Sequence, residues 1–355
     1  MPEQIYINGR FATQTLSGVQ RFASELTVAL QELQGNRVRL LAPARGASKY
    51  PGAIELGRLH GQAWEQWELP RHTADGFLIN LGNTAPLLTH RQIVVIHDAG
   101  VFSTPAAYSW KFRLWYKTMQ TILVRRGTPI VTVSEFSRTE IQRYLRTAPG
   151  QVTVMPEGAD HVARISTEEQ ILSDHALQAG NFVLAVGTLA AHKNLTALGL
   201  LAKRLDKKGV PLIIVGSLGG LAFHNDGRSN LPQPARYIGR VSDGQLKALY
   251  RAAACFVFPS LYEGFGLPAV EAMASGCPVV AADIPALRET CADAAIFCDP
   301  ESPSHIADTV FKVLDDTNLQ TQLRAAGLRH TNEMTWRRAA QALQEIANAQ
   351  TWNRP

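Results

Sequence analysis

The residues best suited to chemistry are two glutamates that flank a glycine-containing loop in the last third of the chain. Glu263 and Glu271 are eight residues apart, and Gly264 and Gly266 lie between them. Backbone amides of such a loop, together with the start of a following helix, form an anion site that needs no charged side chain. A bound diphosphate would repel both carboxylates, so we expect them to bind neutral hydroxyls of a sugar or a ribose.

The elements that must position this loop can be predicted from the flanking residues. An apolar run that ends at Phe258 predicts a strand, and Pro268 suits the first turn of a helix that stops at Gly276. A purely structural alternative remains open, in which Glu271 complements the helix dipole and Glu263 caps the helix.

A competing interpretation uses the same glycines. Residues 264–269, Gly-Phe-Gly-Leu-Pro-Ala, match a dinucleotide fingerprint, and Asp283 follows the next strand 17 residues after Gly266. That fingerprint needs its first glycine directly at the strand end, whereas residues 260–263 intervene here. The spacing therefore disfavours a dinucleotide site.

Four other strand ends carry candidate side chains. Lys193 precedes a predicted helix that Asn194 could cap, which places an ammonium where an anion is already favoured. Gly18 opens another helix after a loop, and His97 follows a run of buried type, Val-Val-Ile. Ser134 ends a fourth strand and could equally be a helix cap.

Strands and helices alternate twice along the chain, which predicts an α/β protein with two doubly wound parallel sheets that face one another. Ligands of such sheets bind beyond the carboxyl ends of the strands, where these candidates lie. We expect a first domain over 1–165, a second over 166–334, and a terminal helix in 335–355 that packs back on the first domain. The length of 355 residues also favours two domains.

Composition excludes several classes of protein. An apolar content of 46% with 18% charged residues excludes a disordered chain. The net charge of +5 is local, because residues 107–150 hold eight basic and two acidic side chains. One such patch is too small for a wrapped nucleic acid, so no nucleic-acid partner is expected. No Asp-x-Asp pair is present to hold a divalent metal, and we expect neither a metal nor a cofactor.

The expected compartment is the cytoplasm. The first residues show no secretory signal, and no apolar stretch is long enough to span a membrane. The four cysteines lack a Cys-x-x-Cys pair and are predicted to be buried reduced thiols.

The order of these motifs resembles a retaining glycosyltransferase of the GT-B type, family 4. The likeness covers nearly the whole chain and is strongest over residues 236–289. The segments Val186–Leu195 and Val131–Arg138 look like those of bacterial surface-polysaccharide mannosyltransferases. The resemblance implies two Rossmann-like domains across a cleft, a nucleotide-sugar donor such as GDP-mannose, and a glycan or polyprenyl-diphosphate-linked acceptor.

Residue roles follow from the same resemblance. His97 would be at the reacting centre, Glu263 would bind the transferred sugar, Glu271 the ribose, and the backbone near Val241 the base. The full set of implied donor contacts is Gly18, Val19, Thr188, Lys193, Arg240, Val241, Gly264, Phe265, Gly266, Leu267 and Glu271.

The chain departs from the family pattern at three places. Many relatives have Arg at Thr188, and commonly Pro-Arg at residues 191–192, so one charged partner of the diphosphate is missing here. The alternatives are a weaker affinity for the donor or a contribution from Arg240 or His192. The usual Pro-Asn-Gly is Pro-Glu-Gly here, with Glu157 in the middle, which puts an acceptor contact there in doubt.

Residues 107–117 contain five aromatic and three basic side chains. At helical spacing a core-facing stripe is formed by Phe112, Trp115, Met119 and Ile122. The alternative is an acceptor-side or peripheral membrane surface that uses Trp110, Lys111 and Arg113, with Ser134 on the acceptor side. A sugar-nucleotide epimerase, an NAD-dependent dehydrogenase and a non-catalytic nucleotide-sugar binder remain the alternative functions.

Overall fold

A computed structural model of the chain describes residues 4–48, 50, 52–217 and 231–352. The chain divides into two compact units: Met1–Phe102, Arg113–Gly158 and Thr335–Pro355 form the first, and Ser103–Phe112 with Ala159–Met334 the second. The crossing after Gly158 comes seven residues before the predicted boundary. One reason is that Lys247 donates a hydrogen bond to the Ile165 carbonyl, which ties that segment to the second unit.

The strands are β1 (Gln4–Asn8), β2 (Val38–Ala42), β3 (Ile54–Glu55), β4 (Gly76–Asn80), β5 (Gln92–Val95), β6 (Ile130–Thr132), β7 (Val152–Val154), β8 (Val183–Val186), β9 (Leu212–Val215), β10 (Arg236–Gly239), β11 (Cys255–Phe258), β12 (Val279–Ala282) and β13 (Ile296–Cys298).

The helices are α1 (Gly18–Gln34), α2 (Ala44–Ala47), α3 (Gly61–Ala63), α4 (Gly100–Ser103), α5 (Trp110–Arg125), α6 (Glu135–Leu145), α7 (His161–Arg164), α8 (Gln170–Asp174), α9 (Gly199–Asp206), α10 (Asp243–Ala252), α11 (Leu267–Ala274), α12 (Pro285–Cys291), α13 (Pro303–Leu314), α14 (Thr317–Asn332) and α15 (Trp336–Trp352).

The first unit is built on a parallel sheet with the strand order β3-β2-β1-β4-β5-β6-β7. Its central strands are buried and apolar, as expected for a sheet covered on both faces. The strand order reverses between β1 and β4, so the crevice at their carboxyl ends is the topological switch point of this unit.

The terminal helix α15 belongs to the first unit, where it packs along α1. The edge of the Trp336 ring packs against Phe22, with centroids 5.7 Å apart. Gly158 lies directly beneath the start of this helix, because a Cβ atom at Gly158 would be only 2.4 Å from the Trp336 amide nitrogen. A glycine is therefore required where the first unit ends.

The second unit repeats the architecture with the strand order β10-β9-β8-β11-β12-β13, all pairs parallel. Its switch point lies between β8 and β11. Two apolar cores cover the two faces of the sheet, one centred on Phe256 and Met273 and the other on Leu201 and Val310.

Several predicted elements are confirmed and others were missed. The strand predicted to end at Phe258 is confirmed as β11, and the helix predicted to have Pro268 in its first turn is confirmed as α11. The two-residue strand β3 and the edge strand β10 were not predicted, because neither has a buried apolar run. None of the described helices is long and apolar enough to cross a membrane.

Candidate functional site

The loops that leave β8 and β11 meet at the switch point of the second unit. The Leu261 amide donates to the His192 carbonyl oxygen over 2.8 Å. The Asn194 side chain donates to the carbonyl oxygens of Pro259 and Pro300. The prediction that Asn194 caps a helix is therefore wrong: it adopts the left-handed conformation, with φ 56°, and makes no side-chain cap. Its amide joins the loops instead.

The joined loops bring two predicted site residues together. The Lys193 Nζ atom lies 2.5 Å from Glu263 Oε1, and the two side chains are only 16% and 11% exposed. The same ammonium lies 5.4 Å from the centroid of the Phe258 ring. A cation and a carboxylate thus stand side by side at the carboxyl edge of the sheet, where this fold binds ligands.

His192 adds an electrostatic constraint to this edge. Burial, and then the neighbouring Lys193 ammonium, lower its pKa to about 4, against a smaller opposing effect from Glu263. The imidazole is therefore neutral at pH 7, so His192 does not replace a missing cationic partner of a diphosphate through its charge.

The glycine loop continues from Glu263 into α11. Gly266 has φ 99°, a conformation that L-residues rarely adopt, and a Cβ atom there would lie 2.4 Å from Leu287. Phe265 and Leu267 are buried, so they can offer a ligand only their backbone groups. Pro268 lies in the first turn of α11, as predicted, and leaves the neighbouring amides to act at the helix start.

Glu271 lies within α11 and is paired to a residue that the sequence analysis did not identify. The Nε2 atom of His161, on α7, is 3.1 Å from Glu271 Oε1, and the His161 side chain is 2% exposed against 14% for Glu271. The Glu271 carboxylate therefore has one oxygen held by His161 and is still partly exposed. The Glu271 charge also affects Tyr250: burial, and then this charge, raise the pKa of Tyr250 well above its usual range.

His97 follows β5 in the first unit and is held on several sides. Its Nε2 atom is 3.0 Å from the Leu81 carbonyl oxygen, its Nδ1 atom is 3.6 Å from Glu157 Oε1, and its amide donates to Asn83. The ring also packs edge-on against Phe22, with centroids 4.5 Å apart. Since a carbonyl oxygen only accepts, Nε2 carries a proton.

The remaining first-unit candidates differ in exposure. Gly18 opens α1 and is exposed, and Val19 beside it is half-buried, so this helix start is open to solvent. Ser134 is buried, and its hydroxyl accepts the Ser137 amide at the start of α6. In the described structure the Ser134 hydroxyl thus acts as a helix cap.

The aromatic and basic segment lies at the start of α5. Trp110 is 64% exposed, and Arg113 is half-buried. Lys111 is exposed, and its Nζ atom lies 5.6 Å from the centroid of the Trp110 ring. Tyr108 and Phe112 stack with ring centroids 5.5 Å apart. The division into units places Ser103–Phe112 with the second unit and Arg113 with the first, although sequence alone suggested one first-domain patch.

The other donor-binding candidates border the same sheet edge of the second unit. Thr188 is half-buried in the loop after β8. Arg240 is exposed and Val241 half-buried in the turn between β10 and α10.

A polar network in the first unit was also missed by sequence reasoning. Asn8 and Asn80 end β1 and β4, and their side chains hydrogen-bond each other over 2.9 Å across the switch point. Arg10 binds Glu65, which also accepts from Asn8 and Thr84. All five side chains are at least nine-tenths buried. No local sequence pattern predicts this network, because Glu65 lies in a separate helical segment, Trp64–Glu68.

The described part of the chain contains no cluster of side chains suited to a metal ion. No group of three or more His, Cys, Asp or Glu side chains there could hold a metal ion. The four cysteines are free and buried, as predicted.

A fold of two Rossmann-like units with this charged switch point is that of a GT-B glycosyltransferase, and comparison with known proteins agrees. Residues 168–330 match the family described as glycosyl transferases group 1. The chain is 32% identical over 313 residues to O-antigen chain mannosyltransferase B of Escherichia coli, covering 85% of this chain and 80% of that protein. The chain therefore belongs to this family, and the protein is a glycosyltransferase.

Further relatives and structures extend the comparison. O-antigen chain mannosyltransferase RfbU of Salmonella typhimurium is 28% identical over 222 residues, covering 62% of this chain and 59% of that protein. The structure of sucrose-phosphate synthase from Thermosynechococcus elongatus superposes with a TM-score of 0.76 at 18% identity, covering 99% of this chain and all of the other. The latter likeness shows the fold alone.

Proposed function

We propose that the protein is a retaining, metal-independent glycosyltransferase that transfers mannose from GDP-mannose to a glycan or a polyprenyl-diphosphate-linked oligosaccharide in surface polysaccharide biosynthesis. The observation that carries the proposal is the Lys193–Glu263 pair at the switch point of the second sheet. The choice of mannose is supported by the two relatives named as O-antigen chain mannosyltransferases.

The leaving group explains the need for a cation and amides. Cleavage of a sugar–phosphate bond places negative charge on the nucleoside diphosphate, and fixed donors stabilise that charge in the transition state. On this proposal Lys193 and the backbone of residues 264–267, at the start of α11, supply those donors. Gly18 and Val19, at the exposed start of α1, are proposed donor contacts of the first unit.

The carboxylates suit the neutral hydroxyls of the donor. We assign Glu263 to the transferred sugar and Glu271 to the ribose, with His97 as a further contact to the sugar. Because the Glu263 carboxylate is already paired with Lys193, it is poorly suited to act as a covalent nucleophile. This supports retention by attack on the same face as the departing phosphate.

The geometry of the loop after β11 disfavours the alternative function as an NAD-dependent dehydrogenase. Residues 259–263 separate the end of β11 from Gly264, so the first glycine is not in the tight turn that a dinucleotide fingerprint requires. An epimerase has no acceptor, so product analysis separates it from a transferase: only the latter joins the labelled sugar to an acceptor.

The base and the catalytic assignments need separate experiments. A thermal-shift panel of GDP, UDP, dTDP and ADP should give its largest increase in melting temperature with GDP, because a ligand of the native state stabilises it. With radiolabelled GDP-mannose, Lys193→Ala and Glu263→Ala should lose most transfer while remaining folded. Lys203→Ala, which removes an exposed lysine of α9, is the matched control. Wild-type activity in both site variants would refute the proposal.

The acceptor side is proposed to include the exposed start of α5. On this proposal Trp110, Lys111 and Arg113 contact a lipid-linked diphosphate or the anionic inner face of a membrane. Ser134 is assigned to the same acceptor side. Sedimentation with vesicles of phosphatidylglycerol at low salt tests the membrane contact, with phosphatidylcholine vesicles as the control. Equal recovery with both vesicle types would rule it out.

A further inference from the structure

The segment that joins the two units carries two side chains whose contacts are otherwise unexplained. It runs from Pro156 to His161, and the chain passes from the first unit to the second between Gly158 and Ala159. Glu157 contacts His97 in the first unit, and His161 contacts Glu271 in the second. Each contact joins the segment to a residue to which the proposed function gives a role.

His161 contacts one of the two carboxylate oxygens of Glu271. Nε2 of His161 is at hydrogen-bond distance from Oε1, 3.1 Å, and the imidazole is almost completely buried. Glu271 itself retains some exposure. A carboxylate held by one oxygen presents the other in a fixed direction, and a fixed acceptor loses less entropy when it binds a hydroxyl.

The Glu157 contact completes the environment of His97. Glu157 Oε1 is 3.6 Å from Nδ1, both side chains are 6% exposed, and Leu81 accepts at the opposite nitrogen. The Phe22 ring contact fixes the plane of the imidazole. Glu157 cannot shift easily, because Gly158 lies against the backbone at Trp336.

The segment is hydrogen-bonded to Met334, after which the chain returns from the second unit to the first. The Ala159 amide donates to the Met334 carbonyl oxygen over 2.8 Å within the second unit. His161 then begins α7, one turn of helix that ends at Arg164. Glu157 and His161 are four residues apart on this short stretch, whose backbone has little conformational freedom. The contacts of Glu157 with His97 and of His161 with Glu271 both depend on it.

We propose that Glu157 and His161 are positioning residues, which hold His97 and Glu271 in the orientation required for transfer and for ribose binding. The inference deepens the proposed function and rests on it. Neither residue needs to touch the substrate; each acts through the side chain that it holds.

The first test uses nucleotide binding, which does not depend on turnover. Titration calorimetry compares GDP with 2′,3′-dideoxy-GDP, which lacks the hydroxyls assigned to Glu271. His161→Phe should weaken GDP about tenfold, the effect of losing roughly one well-placed hydrogen bond, and the dideoxy analogue less than about twofold. His161→Gln keeps an N–H donor and should restore most of the affinity.

The matched control is His330→Gln. His330 is half-buried and, like His161, is bonded through Nε2, but to the backbone carbonyl of Thr290. It should change neither affinity. Equal losses for GDP and its dideoxy analogue in His161→Phe would indicate a general structural effect and would overturn the inference, as would no loss for either.

The second test uses the steady-state kinetics of transfer. Glu157→Gln keeps the shape but removes the charge beside His97, and kcat should fall about tenfold while KM for the donor changes less than about twofold. Asp160→Asn, on the same segment, should behave as wild type. An unchanged kcat would overturn the assignment of Glu157.

Failure of the proposed function gives a different pattern. If wild-type protein binds none of GDP, UDP, dTDP or ADP, the nucleotide site itself is refuted, and the positioning roles with it. If wild-type protein binds GDP and its dideoxy analogue equally, the site stands but Glu271 does not contact the ribose, and the role of His161 is refuted alone.

Discussion

Opposite effects of two substitutions on nucleotide affinity would test the proposed function most directly. Lys193 and Glu263 share one ion pair, 2.5 Å between Nζ and Oε1, but should act in opposite directions on a bound diphosphate. Lys193→Met removes an attraction and should weaken GDP. Glu263→Gln removes a repulsion and should strengthen it, even though the same change abolishes most sugar transfer.

The expected size follows from the distances. A phosphate oxygen at about 2.9 Å from Nζ lies within about 5.4 Å of Glu263 Oε1. With an effective dielectric constant of about 40, between the values for water and for a near-surface site, a unit charge at this distance contributes about 1.5 kcal/mol. Glu263→Gln should therefore bind GDP about tenfold more tightly, and Lys193→Met about tenfold or more weakly.

The assay is calorimetric titration with GDP at two salt concentrations, about 50 and 300 mM. Both effects should shrink at the higher concentration, although only partly, because the side chains are largely buried. Free-energy changes of the same sign in the two variants would refute the electrostatic reasoning. Unfolding in urea must first show that each variant is folded.

Three further predictions concern stability and reactivity. Gly158→Ala should lower the free energy of unfolding in urea by about 3 kcal/mol, because its Cβ atom would overlap the backbone at Trp336, whereas Gly199→Ala, with open space around it, should not be destabilised. The folded-state pKa of His192, about 4, lies below the unfolded value of about 6.5, so the unfolded state binds more protons and stability falls as pH decreases from 6.5 towards 4. Between pH 7 and pH 5 the loss should be about 2 kcal/mol larger in wild-type protein than in His192→Gln; equal losses in both would contradict it. The four buried cysteines, whose pKa values are raised by burial, should not react with a disulfide reagent in native protein and should all react in urea; native reactivity of any one would contradict the packing.

Local sequence patterns predicted much of the fold because parallel strands are continuous apolar runs. β11 ends at Phe258, where its apolar run ends, for this reason. β3 and β10 are edge strands with exposed or half-buried side chains, so their sequences carry no such pattern. The pairing that forms them is decided by the neighbouring strand.

The site was predicted as far as it follows from strand ends. The sequence placed Lys193 and Glu263 at the carboxyl edge, and the structure brings them into contact. It did not identify His161, because a histidine on a single helical turn carries no periodic signal, and its partner Glu271 is 110 residues away. Contacts at that separation depend on the tertiary fold.

The polar network at the first switch point has a consequence for the number of ligands. In each unit the doubly wound fold offers a crevice at the carboxyl ends of its central strands, so two such units could hold two nucleotides. In the first unit Asn8, Asn80, Arg10 and Glu65 fill that crevice with buried, mutually bonded side chains. The architecture is duplicated, but we expect only one nucleotide site: a nucleotide titration should saturate at one equivalent per chain.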